Sequence, residues 1–223
     1  WCSDGSKRLS DVPSVALKGD YFYSPLSRSE EVSEYSGTVM AIDPSGRGKD
    51  ETAYSIIKFL NGYLFIMDIG GYHEGYSEGT LTTLANKAKF YNVNEVVIES
   101  NFGDGMFSQL LKPVLNRIHP CAVQEINNRQ QKEKRIIDTV GPVMRRHKLV
   151  VHWRAIQDDQ HWCEQHPRNM QTVTSLLYQI ANITYDRGSL SKDDRADSLQ
   201  GLVRFLSELL VVDDEKASTE RKR

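Results

Sequence analysis

The chain has 223 residues, 39% apolar and 26% charged, with a formal net charge of −2. This is ordinary globular composition, long enough for one generous domain with its own core. Three scattered cysteines (Cys2, Cys121, Cys163) with no CxxC pair argue against a disulfide framework or a thiolate zinc site, and point to a reducing compartment. No apolar run reaches membrane-spanning length and no basic-then-apolar leader opens the chain, so neither membrane insertion nor secretion is expected. The start at Trp1 is read as a piece of a longer polypeptide.

Residues 1–36 are polar without a sustained period and read as a linker or arm. The core opens at GTVMAID (37–43), an apolar, β-branched strand. PSGRGKD (44–50) is turn chemistry, and ETAYSIIKFL (51–60) is a second strand ending at the hairpin signal Asn61-Gly62. YLFIMDIGGY (63–72) is a third, so the three form an antiparallel meander. From Ser77 the period changes: Leu81, Leu84, Ala85 and Ala88 mark one face of a helix capped by Ser77 or Thr80. EVVIES (95–100) reads as a buried strand, 104–118 as a helix containing Pro113, and CAVQEIN (121–127) as a fifth strand. A helix over 132–147 is expected to be interrupted near Gly141-Pro142, and KLVVHW reads as an edge strand. Amphipathic helices follow over 169–183 and 193–211, and the charged tail 212–223 is expected to be disordered. The order β-β-β-α-β-α-β-α predicts an α/β fold: one mixed sheet of five to six strands, an antiparallel meander plus parallel βαβ strands, with helices on both faces.

Acidic residues end two of these strands. Asp43 closes the first and Glu99 the fourth. Functional groups gather at the carboxyl ends of parallel strands, so adjacency of the first and fourth would bring these two together. Two carboxylates at close range repel, and one takes up a proton unless a cation lies between them. An all-oxygen, carboxylate-rich site suits magnesium or manganese. The third element is KDDRADSLQGLVRFLSELL (192–210), where Asp193 or Asp194 shares a helix face with Asp197. Acids at a helix start also complement the helix dipole, so this motif alone is ambiguous. Ala196, Leu199, Val203, Leu206 and Leu210 supply its buried stripe, and Gly201 permits close approach to the sheet. Between residues 127 and 154 lie three Lys and five Arg against only Glu133 and Asp138, a basic stretch able to meet a polyanion.

Strand-Asp, meander, strand-Glu and late helix-start Asp-x-x-Asp together resemble the ribonuclease H-like (retroviral integrase-type) nuclease superfamily. The blocks AIDPSGRGKDETAY, VVIESNFGDGMF, QKEKRIIDTVGPVMRRHKLVV and DDRADSLQGLV resemble more closely the C-terminal nuclease domain of the large terminase subunit of tailed phages. The podovirus type, DNA maturase B, is the best match, over about residues 37–207.

That resemblance implies a ribonuclease H-like nuclease domain over 37–211 and a linker over 1–36 leading from an N-terminal ATPase half. It implies a metal-dependent endonuclease cutting concatemeric viral DNA during genome packaging in the host cytoplasm. Its partners would be double-stranded DNA, the ATPase half, the small terminase subunit and the portal. Asp43 would bridge two Mg2+ or Mn2+ ions, Glu99 would bind one, and Asp197 with Asp194 the other; Asp50 would be a supporting acid. Arg47, Lys49, Arg129, Lys132, Lys134 and Arg135 are the candidate DNA contacts, with Lys134 and Arg135 facing the backbone. Paired divalent ions would activate water and stabilise the leaving 3′ oxygen, leaving 5′-phosphate and 3′-hydroxyl ends. Phosphate contacts would make binding salt-sensitive and weakly sequence-specific.

Competing readings are a Holliday-junction-resolvase-like nuclease, a non-catalytic DNA-gripping module of the packaging motor, and an actin-like ATPase, which would need a second phosphate loop. GRGK lacks P-loop spacing and runs into a strand. His147, His152, His161 and His166 lack zinc spacing and read as surface or packing residues. Trp153 and Trp162 read as packing aromatics rather than base-stacking platforms.

Overall fold

The computed structural model describes residues 4–10, 21–25, 30, 32–45, 51–100, 105–127 and 130–220, with side chains of the last helix described to 207. Six strands form one sheet: β1 (Gly37–Asp43), β2 (Thr52–Leu60), β3 (Tyr63–Tyr72), β4 (Glu95–Glu99), β5 (Ala122–Ile126) and β6 (Leu149–Val151). Their spatial order is β5-β4-β1-β2-β3-β6. β1, β2 and β3 pair antiparallel, as the meander predicts. β4 runs parallel to β1, β5 to β4, and β6 to β3. β2 therefore runs against the other five, and one sheet edge collects their carboxyl ends together with the start of β2.

The helices are α1 (Glu78–Tyr91), α2 (Met106–Ile118), α3 (Lys132–Arg145), α4 (Trp153–Glu164), α5 (Arg168–Thr174), α6 (Leu176–Asn182) and α7 (Asp194–Glu220). They cover both sheet faces, because successive strand residues point to opposite sides. Met40, Ile42, Tyr54 and Ile56 pack with Leu84 and Ala88 of α1 and Leu111 of α2. Val39, Ala41, Ile57 and Val97 pack on the other face with Ile136 of α3 and Leu199 and Val203 of α7. Ser77 caps α1 through its Oγ, which accepts from the Thr80 amide.

Several expectations change in detail. The helix over 132–147 continues through Gly141 and Pro142 to Arg145; the proline lies in its last turn, where one missing N–H costs little continuity. The stretch 154–164, for which no element was expected, joins Trp153 from the expected edge strand to form α4. The helix expected over 169–183 is two helices split at Ser175, whose Oγ accepts from the Tyr178 amide and starts α6. α7 extends to Glu220, beyond the 211 at which the periodicity ends it. Within the stretch read as an arm, Leu9 and Phe22 pack against Ile156 and Leu177. No helix among the described residues is long and apolar enough to cross a membrane.

One irregularity sets which residues face α7. Ile57 pairs with Ile66 but Ile56 pairs with Asp68, so Met67 is an extra residue in β3. Such a bulge shifts the alternation by one. Leu64 and Ile66 before it and Ile69 after it thus all reach the same core. Gly71 and His73 continue that phase, while Tyr72 joins the opposite cluster.

Candidate active site

β1 and β4 are neighbours and parallel, with Ile42 opposite Ile98, so Asp43 and Glu99 lie side by side at the carboxyl edge. Both continue the alternation of Val39, Ala41 and Val97 and face the α3–α7 layer. α7 docks there through Ala196, Leu199, Leu202, Val203 and Leu206, all fully buried. Ser198 Oγ hydrogen-bonds Ser55 Oγ at 3.1 Å, fixing the first turn on the sheet. At Gly201 a Cβ would stand 3.3 Å from Ile126 Cδ1, a tight approach that suits the glycine. This docking delivers Asp197: carboxylate oxygens of Asp43, Glu99 and Asp197 lie within 4.8 Å of one another. Asp197 and Glu99 are buried at 3% and 8% exposure.

Two cations from α3 enter the cluster. Lys132 Nζ stands 2.8 Å from Asp193 Oδ1 and 3.2 Å from Asp197 Oδ2. Arg135 donates from Nη1 to Glu99 Oε1 at 3.4 Å and from Nη2 to Asp197 Oδ1. Both residues, expected as DNA contacts, turn onto the acids. Arg135 is buried, and Lys132 is half-buried against acids. Positions three apart on a helix share a face, so Lys132 and Arg135 turn inward together while Lys134 stays exposed. Arg47, Lys49, Asp50 and Arg129 lie outside the described residues.

Burial raises the Asp43 carboxyl well above its ordinary value, and Asp197, Glu99 and Asp194 push the same way against Lys132. Burial works against the charge on Lys132, yet Asp197, Asp43 and Asp193 raise its pKa and keep it protonated. The three acids thus form a cluster still short of positive charge at Asp43. Its all-oxygen donor set fits a hard divalent cation such as Mg2+ or Mn2+. Asp194 is half-buried at the start of α7 and acts on Asp43 through its charge.

Sequence reasoning missed a second group on the same edge. Glu51, just before β2, receives Arg195 Nε on Oε2 at 3.1 Å and Arg195 Nη2 on Oε1 at 3.2 Å. Arg195 Nη1 also donates to Asp159 Oδ1 of α4 at 2.9 Å. Glu51 and Asp159 keep the guanidinium charged despite its burial. His166, on the α4–α5 turn, places Nε2 3.0 Å from Glu51 Oε1, and His73 places its Nε2 3.6 Å from the same oxygen. Gly71 makes room for this carboxylate: a Cβ there would stand 2.3 Å from Glu51 Oε2. Trp162 packs edge-on against Tyr72 at 5.6 Å beside it. Trp153 by contrast is exposed on α4.

Residues 42–149 match the family described as Terminase Bacteriophage T7, Ribonuclease H-like domain. The large terminase subunit of Enterobacteria phage T3 is 40% identical over 220 residues, 99% of this chain. The chain spans 38% of the length of that relative. Among solved structures, the human cytomegalovirus terminase nuclease domain, manganese-soaked and inhibitor-bound, is similar with a TM-score of 0.53. That likeness covers 77% of this chain and 83% of the other at 12% identity, which speaks for the fold alone. The same viral domain in a further structure gives 0.50 over 78% and 84%, again at 12% identity. With a strand-end Asp and Glu beside a helix-start Asp on this sheet order, the chain is similar to the ribonuclease H-like domains of large terminase subunits.

Proposed function

We propose that this domain is a two-metal-ion DNA endonuclease that cuts concatemeric viral DNA during genome packaging. The observation that carries this reading is the convergence of Asp43, Glu99 and Asp197 on one point, with Asp43 held above the usual carboxylate range by burial and by its acidic neighbours. Bound there, divalent ions supply Lewis acidity to a scissile phosphodiester and lower the pKa of water. The chain's own residues prepare that place. Asp43 gives up the proton that burial and repulsion favour, and with Glu99, Asp197 and Asp194 offers oxygens to cations. Arg135 holds Glu99 and Asp197 in register, and Lys132 does the same for Asp193 and Asp197. Lys134, exposed on α3, is the described candidate for phosphate contact. The proposed partners are double-stranded DNA, the ATPase half of the same polypeptide, the small terminase subunit and the portal, in the cytoplasm of an infected bacterium.

The test is nicking of supercoiled plasmid with Mn2+ or Mg2+. Asp43→Asn and Glu99→Gln should cut about a thousandfold more slowly, the scale of several kcal/mol of lost charge stabilisation. Undiminished nicking by both variants, with circular dichroism showing them folded, would mean that the acids are structural. A strong preference for branched over linear DNA would favour a junction-resolving enzyme instead.

A further inference from the structure

The Glu51, His73 and His166 group lies outside the acid cluster, and its chemistry differs. The acids offer only oxygen, whereas this group offers two imidazole nitrogens and one carboxylate. His166 Nε2 is 3.0 Å and His73 Nε2 is 3.6 Å from Glu51 Oε1. His73 Nε2 is 3.3 Å from His166 Nδ1, with the two rings nearly perpendicular at 84°. One ligand atom from each residue falls within 4.8 Å of the other two. The ligand atoms of a tetrahedral ion bound at 2.0–2.1 Å stand about 3.4 Å apart. His166 meets Glu51 through its Nε2 and meets His73 through its Nδ1, so coordination requires the imidazoles to turn one nitrogen each onto the ion.

We propose that Glu51, His73 and His166 form a second metal site, selective for a transition-metal ion of the Zn2+ class. Imidazole ligands favour such ions over Mg2+ and Mn2+. A hydrogen-bond network alone explains the Glu51–Arg195 pair, since both carboxylate oxygens receive a guanidinium N–H. Beyond that pair, two imidazoles from separate elements turn onto Oε1, the same oxygen. Arg195 instead fixes the carboxylate from behind, as outer partners orient ligands around a metal. An entry path exists: Glu51, His73 and His166 line an open pocket of about 440 Å³ that Glu74 and Gln165 also border. His73 is half-exposed towards it. With three protein ligands, the remaining position is open to water or Glu74. The ion would fasten the α4–α5 turn to the end of β3. Through Glu51 and Arg195 it would also brace the first turn of α7, which carries Asp194 and Asp197.

Co2+ titration of the metal-stripped chain, followed by visible absorption, tests this independently of nuclease activity. One equivalent with a tetrahedral or five-coordinate spectrum is expected, unchanged by excess Mg2+ and by Asp43→Asn, which disables the acid cluster. His73→Ala and His166→Ala should each weaken Co2+ binding at least tenfold. His73 is exposed enough that its variant should fold, with circular dichroism as the check. Zn2+ should raise the thermal midpoint of the unmodified chain and leave that of His73→Ala in place. Unchanged Co2+ binding in both histidine variants, or binding abolished by Asp43→Asn, would overturn the proposal, as would failure of the unmodified chain to bind Co2+. Failure of the nuclease reading would leave it standing, because none of these measurements requires DNA cleavage.

Discussion

Arg195 and Asp197 sit two residues apart on the first turn of α7, and they meet opposite electrostatic situations. Around Arg195 the charges are matched. Its guanidinium serves Glu51 and Asp159, and Asp159 also receives the Leu176 amide at 3.1 Å and Ser175 Oγ at 2.6 Å. Around Asp197 they are not. Glu99, Asp197 and Asp43 converge with Asp193 and Asp194 nearby, and Lys132 and Arg135 do not hold Asp43 in the ordinary carboxylate range. Residues two apart on a helix do not share a face, so one turn can serve both places. A buried ionic group whose partners balance reads as architecture. An acid held out of its usual range first by burial and next by others like it reads as a site for a cation.

That contrast breaks most visibly at Arg195. Arg195→Met keeps the bulk but leaves Glu51 and Asp159 buried without their cation. It should destabilise the chain by about 3–5 kcal/mol, seen as a lower urea midpoint. A change within experimental error would mean that the matched network is not what fastens α4, β2 and α7. A milder blow to the same network is Gly71→Ala. The new Cβ would meet Glu51 Oε2 at 2.3 Å and drive the carboxylate from Arg195. The expected cost is about 1–3 kcal/mol, the usual penalty of overpacking.

The acid cluster was the more legible of the two regions, and the reason is topological. Asp43 and Glu99 end uninterrupted apolar strands, and a meander followed by a βαβ crossover leaves few ways to place those strands other than side by side and parallel. Asp197 could be read from a buried stripe at helical spacing. Which way the α3 cations point was harder. Lys132, Lys134 and Arg135 form one basic run in sequence, but only the first and last share the inner face. The Glu51–His73–His166 group left almost no trace. Its members come from a strand start, a strand end and an interhelical turn, and His73 faces Glu51 only because the Met67 bulge shifts the phase of β3. Nothing in the alternation of YLFIMDIGGY marks that extra residue. α4 was hidden for a related reason: WRAIQDDQHWCE buries Asp159 beside Ala155 and Ile156, so its inner face carries a charge where periodicity expects an apolar residue.

The smallest expected effect sharpens the contrast from the other side, because removing an acid from the unmatched cluster should stabilise the protein. The folded-state pKa of Asp43 is raised above its ordinary value of 3.8, first by burial and next by Asp197. The folded chain therefore holds this proton more tightly than the unfolded chain does. Stability from that source is complete below the ordinary value and is lost as pH rises through the raised one. With divalent ions chelated, Asp43→Asn should remove this loss and be more stable at neutral pH by about 1 kcal/mol, within the range of single stabilising changes. Added Mn2+ should reverse the order, since an ion that binds only the folded state stabilises it by mass action and the variant has lost a ligand. Chemical denaturation of both proteins, in chelator and in Mn2+, supplies the comparison. If the variant unfolds at the same midpoint as the unmodified chain in chelator, the Asp43 carboxylate carries no stored repulsion. Its place among the other acids would then have to be explained without a cation.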